Sequence, residues 1–467
     1  MTVATGPGLR AAVSAALAAG WRARSLYVRA DRRSVGIVLT GPDGTARIET
    51  TPVSADGAVP SVVDLAPAMA WDEREAHDLY GITFGGHEPM RPLADHSAPL
   101  DSWTTAVRGH DAYQVAVGPI HAGVIESGHF RFHVVGDRIL HLDARLFYKH
   151  RGLEQVAAGM PVEPALSVLS RACAACAVAN GVAFATAAEQ VLGLQAGPQV
   201  ARARVLLLEL ERLWNHLNDI AAICAGVGMA AGSSCFLALT ERARRLNARL
   251  TGHRFLFGAV QVGRSELDLG AGLAAELGSE IARIDAAARA GWRELRFNGS
   301  FTGRLNGVGV VDAAAAARLG VVGPAARAAG LAEDVRTTSR YADYEGWRPV
   351  TASDPAGDVA ARLELRMLEL RQTFDLLGAL LDAGPVSPAG AQALGAGRPA
   401  GVGLVESPRG ATSCVLECAD GVVQRVRLRT GSYANWPAVA HAASGSLLPD
   451  FPLINKSFEL CYACADR

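Results

Sequence analysis

The sequence lacks both a charge imbalance and long apolar runs, and each absence excludes a class of partner. Its 45 Lys and Arg residues nearly balance its 46 Asp and Glu residues, which gives a formal net charge of -1. A chain so close to neutral has no electrostatic basis for binding nucleic acid or an anionic membrane surface. No run of about 18 uninterrupted, strongly apolar residues is present, so the sequence predicts no direct membrane span.

Cysteine is also scarce: the 467 residues include only 8, too few for a disulfide-stabilised scaffold of this size. Four of them form two Cys-x-x-Cys pairs, Cys173 with Cys176 and Cys461 with Cys464. This spacing is typical of metal or redox sites in a reducing compartment. The Ala-rich stretch 9–19 continues into charged residues, which favours an amphipathic helix over a signal peptide. These features predict a cytoplasmic protein.

The composition supports a large folded protein with more than one domain. Half of the residues are hydrophobic (50%), and the length favours two or three domains. The sequence predicts a small N-terminal α/β domain at residues 1–108. One of its helices is expected to begin near Pro67, and Gly81 is suited to the C-terminal cap of that helix. The predicted strands cover residues 25–30, 35–40 and 46–51. An irregular, proline-containing stretch, 87–108, is expected to link this domain to the next.

Residues 109–467 predict a second, mainly helical domain with small β elements. Alternating apolar residues around a Gly-Asp turn predict a hairpin across residues 130–143. Apolar residues at three- and four-residue spacing predict long core helices at 205–220 and 363–381. A valine-rich stretch, 401–430, predicts further strands. The predicted fold class is therefore α+β.

The two Cys-x-x-Cys pairs lie near the start and at the end of this second domain. One such pair is compatible with a zinc knuckle, a redox disulfide or an iron–sulfur ligand set. Thioredoxin-like chemistry needs only one pair, and structural zinc sites usually draw both pairs from one short module. Two distant pairs instead predict one site in the core of the domain, with four soft ligands suited to nickel, iron or zinc.

The residues around these pairs resemble a known family. Arg171-x-Cys173-x-x-Cys176 and Cys461-x-x-Cys464-x-x-Arg467 are similar to the large subunits of nickel–iron hydrogenases, most closely the energy-converting group that includes formate hydrogenlyase (hydrogenase-4 type). That group is homologous to the quinone-site 49-kilodalton subunit of complex I, which lacks the four cysteines. The resemblance implies nickel bound by all four thiolates and iron carrying CO and cyanide ligands. Cys173 and Cys461 would be terminal ligands, and Cys176 and Cys464 would bridge to the iron.

Two further segments extend the resemblance to residues with proposed chemical roles. The loop that begins at Gly118 and contains Glu126 resembles a family loop, which implies that Glu126 is the first proton relay. Taken alone, Glu126 would be interpreted as a solvated loop carboxylate. The Pro408-Arg409-Gly410 segment resembles one whose arginine lies over the metal site, whereas a turn with a surface arginine is the alternative. We also expect Arg171 and Asn180 beside the ligands.

The run from Trp71 to His87 is similar to the 30-kilodalton subunit of complex I. The resemblance implies a domain that docks neighbouring subunits and performs no chemistry, so the charged run of this segment is interpreted as an interface. The predicted organisation is therefore a docking domain, 1–108, fused to a catalytic domain, 109–467.

The sequence departs from the family pattern at three places. Ala174 replaces a glycine, Asn180 replaces a histidine, and Glu459-Leu460 replaces Asp-Pro before the third cysteine. None of these changes removes a ligand, but they affect groups that tune the site. The chain stops at Arg467, where the family is cut during maturation, so the sequence is either the processed form or a gene product without an extension.

The predicted function is the catalytic large subunit of a nickel–iron hydrogenase, with a complex I-like quinone or coupling subunit as the alternative. No cysteines remain at cluster-ligand spacing, so electrons would pass to an iron–sulfur small subunit. Other hydrophilic and membrane subunits are expected as partners, with this chain peripheral on the inner face of the cell membrane. The sequence leaves open the electron partner, the direction of H2 turnover and any coupled ion pumping.

Overall fold

The computed structural model describes residues 8–121, 126–338, 344–345 and 348–467. The N-terminal elements confirm the predicted helices and strands to within a few residues. They are α1 (Leu9–Ala18), β1 (Arg22–Val28), β2 (Ser34–Thr40), β3 (Ala46–Pro52), β4 (Ala58–Pro60), α2 (Ala70–Tyr80), β5 (Thr83–Gly85) and the short α3 (Leu100–Trp103). Strands β1, β2 and β3 form an antiparallel sheet in that order, whereas β4 pairs with β5 in parallel.

The second unit is mainly helical, and together with the N-terminal sheet it confirms the predicted α+β class. Its helices are α4 (Leu153–Ala157), α5 (Val162–Ser170), α6 (Ala177–Leu192), α7 (Pro198–Gly226), α8 (Ala230–Thr251), α9 (Ala271–Arg296), α10 (Gly299–Gly303), α11 (Ala313–Leu319), α12 (Gly323–Ala328), α13 (Val359–Asp382), α14 (Gly431–Ala443), α15 (Phe451–Phe458) and α16 (Tyr462–Asp466). Helices α7 and α13 lie at the centre and contact each other.

Small sheets accompany these helices. Their strands are β6 (Tyr113–Val117), β7 (His129–Val135), β8 (Arg138–Arg145), β9 (Leu194–Gln195), β10 (Arg264–Ser265), β11 (Ala389–Gly390), β12 (Gln392–Ala393), β13 (Ala400–Ser407), β14 (Gly410–Ala419) and β15 (Val422–Arg429). Strands β6–β8 and β13–β15 form two antiparallel three-stranded sheets, and β9 pairs with β12 and β10 with β11.

Helix α6 packs unusually close to β13. A side chain at Gly401 or Gly403 would collide with the carbonyl oxygen of Ala187 or Ala183, so only glycine permits this approach. The stretch Ala174–Leu192 is also long and apolar enough to cross a membrane by composition alone, but 72% of it is buried inside the protein. Its apolar composition is therefore explained by its place in the core.

Helix α2 requires a correction to the interface predicted from the charged run at residues 71–87. Asp72 and Glu75 are buried rather than directed towards other subunits. They pair with the arginines of β15 in the second unit: Arg427 contacts both carboxylates, and Arg429 contacts Asp72. The acidic residues are an interface within the chain, because buried carboxylates need a partner and β15 supplies it.

Candidate metal centre

The four cysteines of the two Cys-x-x-Cys pairs come together. Their sulfur atoms all lie within 4.8 Å of one another, with Cys461 partly buried and the other three buried. Metal–sulfur bonds of about 2.3 Å place the sulfurs of a tetrahedral site about 3.8 Å apart. The cluster is therefore compact enough for all four sulfurs to share one centre, and its soft donors suit nickel, iron or zinc. The convergence expected from the sequence is observed.

The local backbone conformation positions each Cys-x-x-Cys pair at the cluster. Cys173 is extended and its sulfur accepts a hydrogen bond from the Ala175 N–H, which starts a single 3-10 turn over Ala174–Cys176 before α6 begins. On the other side, Glu459 has a left-handed backbone (φ 49°) that ends α15. The chain reverses there, and Cys461 precedes α16, which carries Cys464. A short helical turn thus carries one cysteine of each pair.

The thiols act on one another electrostatically. Hydrogen bonds from Cys173 and the other two thiols hold the pKa of Cys461 well below its ordinary value, and the charge of Arg409 adds to the effect. The same contacts, with that from Cys173 the largest, raise the pKa of Cys176. Packed thiols of this kind favour a shared negative charge, which a cation would neutralise.

Arg409 lies at the tight turn between β13 and β14 and is buried, not a surface arginine. Its guanidinium donates to both carboxylate oxygens of Asp219 on α7, at 2.7 Å and 2.9 Å. It is close enough to interact electrostatically with Cys461 and Cys176. Among the described residues its Nε has no hydrogen-bond partner, so one donor remains for a ligand. The structure brings Arg409 to the edge of the cluster.

Glu126 lies beside the cluster. Its Oε2 accepts the N–H of Ala463, between Cys461 and Cys464, at 2.6 Å. Burial raises the pKa of Glu126 above its ordinary value; the Ala463 N–H opposes the shift, whereas the charge of Cys461 adds to it. A carboxyl group with a raised pKa beside the thiolates is a candidate for exchanging protons with them.

Asn180 and Arg171 occupy different environments. Asn180 lies one turn after Cys176 on α6 and is fully buried, yet neither of its side-chain polar atoms has a partner among the described residues. An orphaned amide there fits a site that receives a further ligand. Arg171 is exposed, donates to Ser167 O at 3.2 Å and stacks on Phe257, so it makes no described contact with the cysteines.

Two carboxylates near the cluster, Asp219 and Glu211, were not identified from the sequence, whereas Glu459 was noted there as a departure from the family pattern. Asp219 holds Arg409; Glu211 on α7 accepts the N–H groups of Val178 and Ala179 at 2.7 Å and 3.1 Å. Burial raises the pKa of Glu211 to about 8, and that of Glu459 to about 7. In the sequence, Asp219 and Glu211 look like residues of a solvated helix face, and their only signal was their position on the leucine-rich helix α7.

Comparison with known proteins identifies the family. Formate hydrogenlyase subunit 5 of Escherichia coli (strain K12) is 30% identical to this chain over 475 residues, which cover 93% of this chain and 82% of that protein. The chain belongs to the family of hydrogenase large subunits. Two family descriptions match it in part: the 30 Kd subunit of respiratory-chain NADH dehydrogenase over residues 23–103, and the 49 Kd subunit over residues 227–396.

The family also includes relatives with other names. An NADH-quinone oxidoreductase subunit of Solibacter usitatus (strain Ellin6076) is 28% identical, over 71% of this chain and 91% of that protein. A chain of the membrane-bound sulfane sulfur reductase, an archaeal respiratory membrane complex, matches the structure with a TM-score of 0.70 and 25% identity. That match covers 79% of this chain and all (100%) of the other. The family thus spans hydrogenases and complex I-like subunits.

Proposed function

We propose that this chain is the catalytic large subunit of a nickel–iron hydrogenase, which interconverts H2 with two protons and two electrons. The observation that carries the proposal is the convergence of Cys173, Cys176, Cys461 and Cys464 within 4.8 Å. Relatives named as NADH-quinone oxidoreductase subunits match the same chain, and the cysteine cluster is the feature that favours the hydrogenase function. When bound, the nickel–iron centre supplies the site of H2 cleavage and formation.

The residues around the cluster have separate roles in this proposal. The four thiolates bind the metals, and a cysteine sulfur holds the proton produced or consumed at the site. Glu126 exchanges that proton with the rest of the protein, because its carboxylate contacts the backbone between two of the cysteines. Arg409 provides a fixed positive charge and one free N–H donor beside Cys461 and Cys176. Asn180 provides a neutral donor on the side of Cys176.

The electrons need an acceptor outside this chain, so we assign an iron–sulfur small subunit as the direct partner. Among the described cysteines outside the cluster, Cys224, Cys235, Cys414 and Cys418 form no further metal-binding group. Relatives are named as parts of membrane-bound complexes, including the membrane-bound hydrogenase of Pyrococcus furiosus. We propose a cytoplasmic position, peripheral to the inner face of the membrane through partner subunits.

A complex I-like role without hydrogenase activity is the second candidate. The replacements at Asn180 and at Glu459-Leu460 favour it, because they alter groups next to the ligands. The retention of all four cysteines argues against it, since a quinone or coupling site does not need a soft-ligand cage. The two candidates therefore differ in whether Cys464 is required.

Metal analysis and infrared spectroscopy of the purified complex test the proposal. We expect nickel and iron near one atom each per chain, together with infrared bands from CO and cyanide. Cys464→Ser should lose the nickel and H2 turnover, whereas Cys414→Ser, a buried cysteine in β14 outside the cluster, should keep both. Zinc as the only metal, or full turnover in Cys464→Ser, would contradict the proposal.

A further inference from the structure

The segment 461–467, which carries two of the cysteines, is held at its far end by the N-terminal domain. The guanidinium of Arg467 is buried, and its Nη2 lies 2.5 Å from both carboxylate oxygens of Glu75 on α2. Its Nη1 donates to the carbonyl oxygen of Leu428 at 3.0 Å. An ion pair therefore joins the first domain directly to the helix that carries Cys464.

This pair belongs to a buried cluster of charges. Arg427 donates to Glu75, and the Nε of Arg467 lies 3.2 Å from Glu154, which also accepts from Arg425 at 2.9 Å. Burial alone would raise the pKa of Glu75, but the charges of Arg427 and Arg467 outweigh it and hold the pKa well below its usual range. Glu75 is thus ionised, and removing it would leave Arg467 with Glu154 as its nearest carboxylate.

The other anchors of this segment come from the second domain. The Asp466 carboxylate accepts the N–H groups of Phe147 and Lys149 at 2.7 Å and 3.0 Å, and the backbone N–H of Cys461 donates to the hydroxyl oxygen of Ser432 at 3.1 Å. Among the hydrogen bonds and ion pairs described for residues 461–467, only those to Glu75 come from the N-terminal domain. The N-terminal domain therefore holds this segment by hydrogen bonds and an ion pair through Glu75.

We propose that Glu75 is a positioning residue for the metal centre: by pairing with Arg467, the N-terminal domain fixes the backbone that carries Cys461 and Cys464. The proposal rests on the proposed function only in treating these cysteines as ligands. Removing a residue that does not bind the metal but orients its ligands typically lowers metal affinity about 10–100-fold. The N-terminal domain thus contributes to metal retention.

The test compares Glu75→Gln with a matched control, Glu417→Gln. Glu417 on β14 is also a buried carboxylate between the domains, and it accepts from Tyr27, Arg29 and Ala30 of the N-terminal domain at 3.0, 2.8 and 3.1 Å. It has no described contact with residues 461–467. Both substitutions weaken the domain interface, but only Glu75→Gln removes a carboxylate that pairs with Arg467.

Two measurements report the outcome. In the full-length metal-free chain, we expect Glu75→Gln to speed amide hydrogen exchange of residues 461–467 at least about tenfold, with exchange in α6 unchanged. In the assembled complex, nickel should dissociate about 10–100-fold faster. Glu417→Gln should change neither rate by more than about twofold, even where its melting temperature falls equally.

The proposal would be overturned if Glu75→Gln exchanged its amide hydrogens and lost nickel at wild-type rates. It would also be overturned if both variants showed the same acceleration. If Glu75→Gln does not fold, Arg467→Gln removes the same ion pair from its other side, and unchanged exchange at residues 461–466 would then overturn it. The exchange measurement does not depend on nickel. A wild-type complex without nickel would therefore refute the hydrogenase function and still leave the role of Glu75 to be decided by exchange.

Discussion

Arg409 and Asp219 form a bidentate ion pair inside the protein, next to the cysteine cluster. The two hydrogen bonds measure 2.7 Å and 2.9 Å, and the side chains are 3% and 0% exposed. Arg366 donates to the same carboxylate at 3.0 Å. Two parallel hydrogen bonds fix the plane of the guanidinium as well as its position. The orientation of Arg409 at the site is therefore set by a residue of α7.

We expect Asp219→Asn to destabilise the protein by about 3–5 kcal/mol, because it leaves two buried guanidinium groups facing a neutral amide. H2 turnover of the folded fraction should fall as well. Urea unfolding measures the first effect. Asp285→Asn is the matched control, since Asp285 accepts two hydrogen bonds from Arg289 at a partly exposed position. Asp285→Asn should lower the free energy of unfolding by less than about 1 kcal/mol. Equal losses at the two positions would contradict the conclusion that Asp219 neutralises buried arginines.

Glu126→Gln should abolish most proton transfer and leave the site intact. The amide oxygen still accepts the Ala463 N–H, so metal content and melting temperature should be unchanged. H2 turnover should fall by about 10²–10⁴-fold, the usual contribution of a positioned acid or base. Glu163→Gln, at an exposed ion pair with Arg264, is the control without effect. Turnover within about twofold of wild type in Glu126→Gln would remove Glu126 from the proton path.

Glu211 makes the stability of the metal-free chain depend on pH. Its pKa rises from 4.5 to about 8 on folding, so its contribution is fully present below pH 4.5 and is lost as the pH rises to about 8. Glu211→Gln has one acceptor oxygen for two N–H groups and should cost about 1–3 kcal/mol at pH 5. The gap to wild type should close or change sign by pH 8, because the wild type loses this contribution whereas Glu211→Gln does not titrate, as measured by urea unfolding. A gap that is constant with pH would refute the raised pKa.

Asn180 should be nearly dispensable for folding. Its side-chain polar atoms have no partner among the described residues, so Asn180→Ala relieves an unpaired buried group while leaving a small cavity. We expect a net change within about 1 kcal/mol in the metal-free chain. Asn435→Ala is the matched control, because Asn435 makes three buried hydrogen bonds, to Val322 and Arg409, and should cost about 2–4 kcal/mol. An equal loss of unfolding free energy in the two variants would show that the Asn180 side chain has hydrogen-bond partners. In the metal-loaded complex, Asn180→Ala should shift the infrared bands.

Helix and strand patterns in the sequence predicted the elements that are richest in apolar residues. Strand β2 was predicted at 35–40 and runs from Ser34 to Thr40, and the helix predicted at 205–220 forms the middle of Pro198–Gly226. The helix begins earlier than predicted, because charged residues such as Arg204, which pairs with Glu189, interrupt the apolar stripe near its start. Helices α8 and α9 were not predicted, since their alternating charges conceal a narrow apolar face.

Site residues could be predicted from the sequence only where they belong to a short, characteristic segment. Cysteine pairs, Glu126 and Arg409 belong to recognisable segments, and the structure brings them together. Their roles remain predictions. Asp219, Glu211 and Glu75 could not be found in this way, because a carboxylate on a helix looks the same in sequence whether it faces water or a buried arginine. Only the tertiary packing of α2 and α7 shows that these side chains lie inside.

The buried ion pairs between the domains have a consequence for the peptide that connects them. Residues 108–111 are exposed and form no helix or strand, whereas Asp72, Glu75 and Glu417 join the two sides without covalent bonds. We propose the domain boundary at this exposed peptide. A single proteolytic cut there should release no fragment: the two pieces should co-migrate as a tight heterodimer and separate only when the arginine pairs are disrupted.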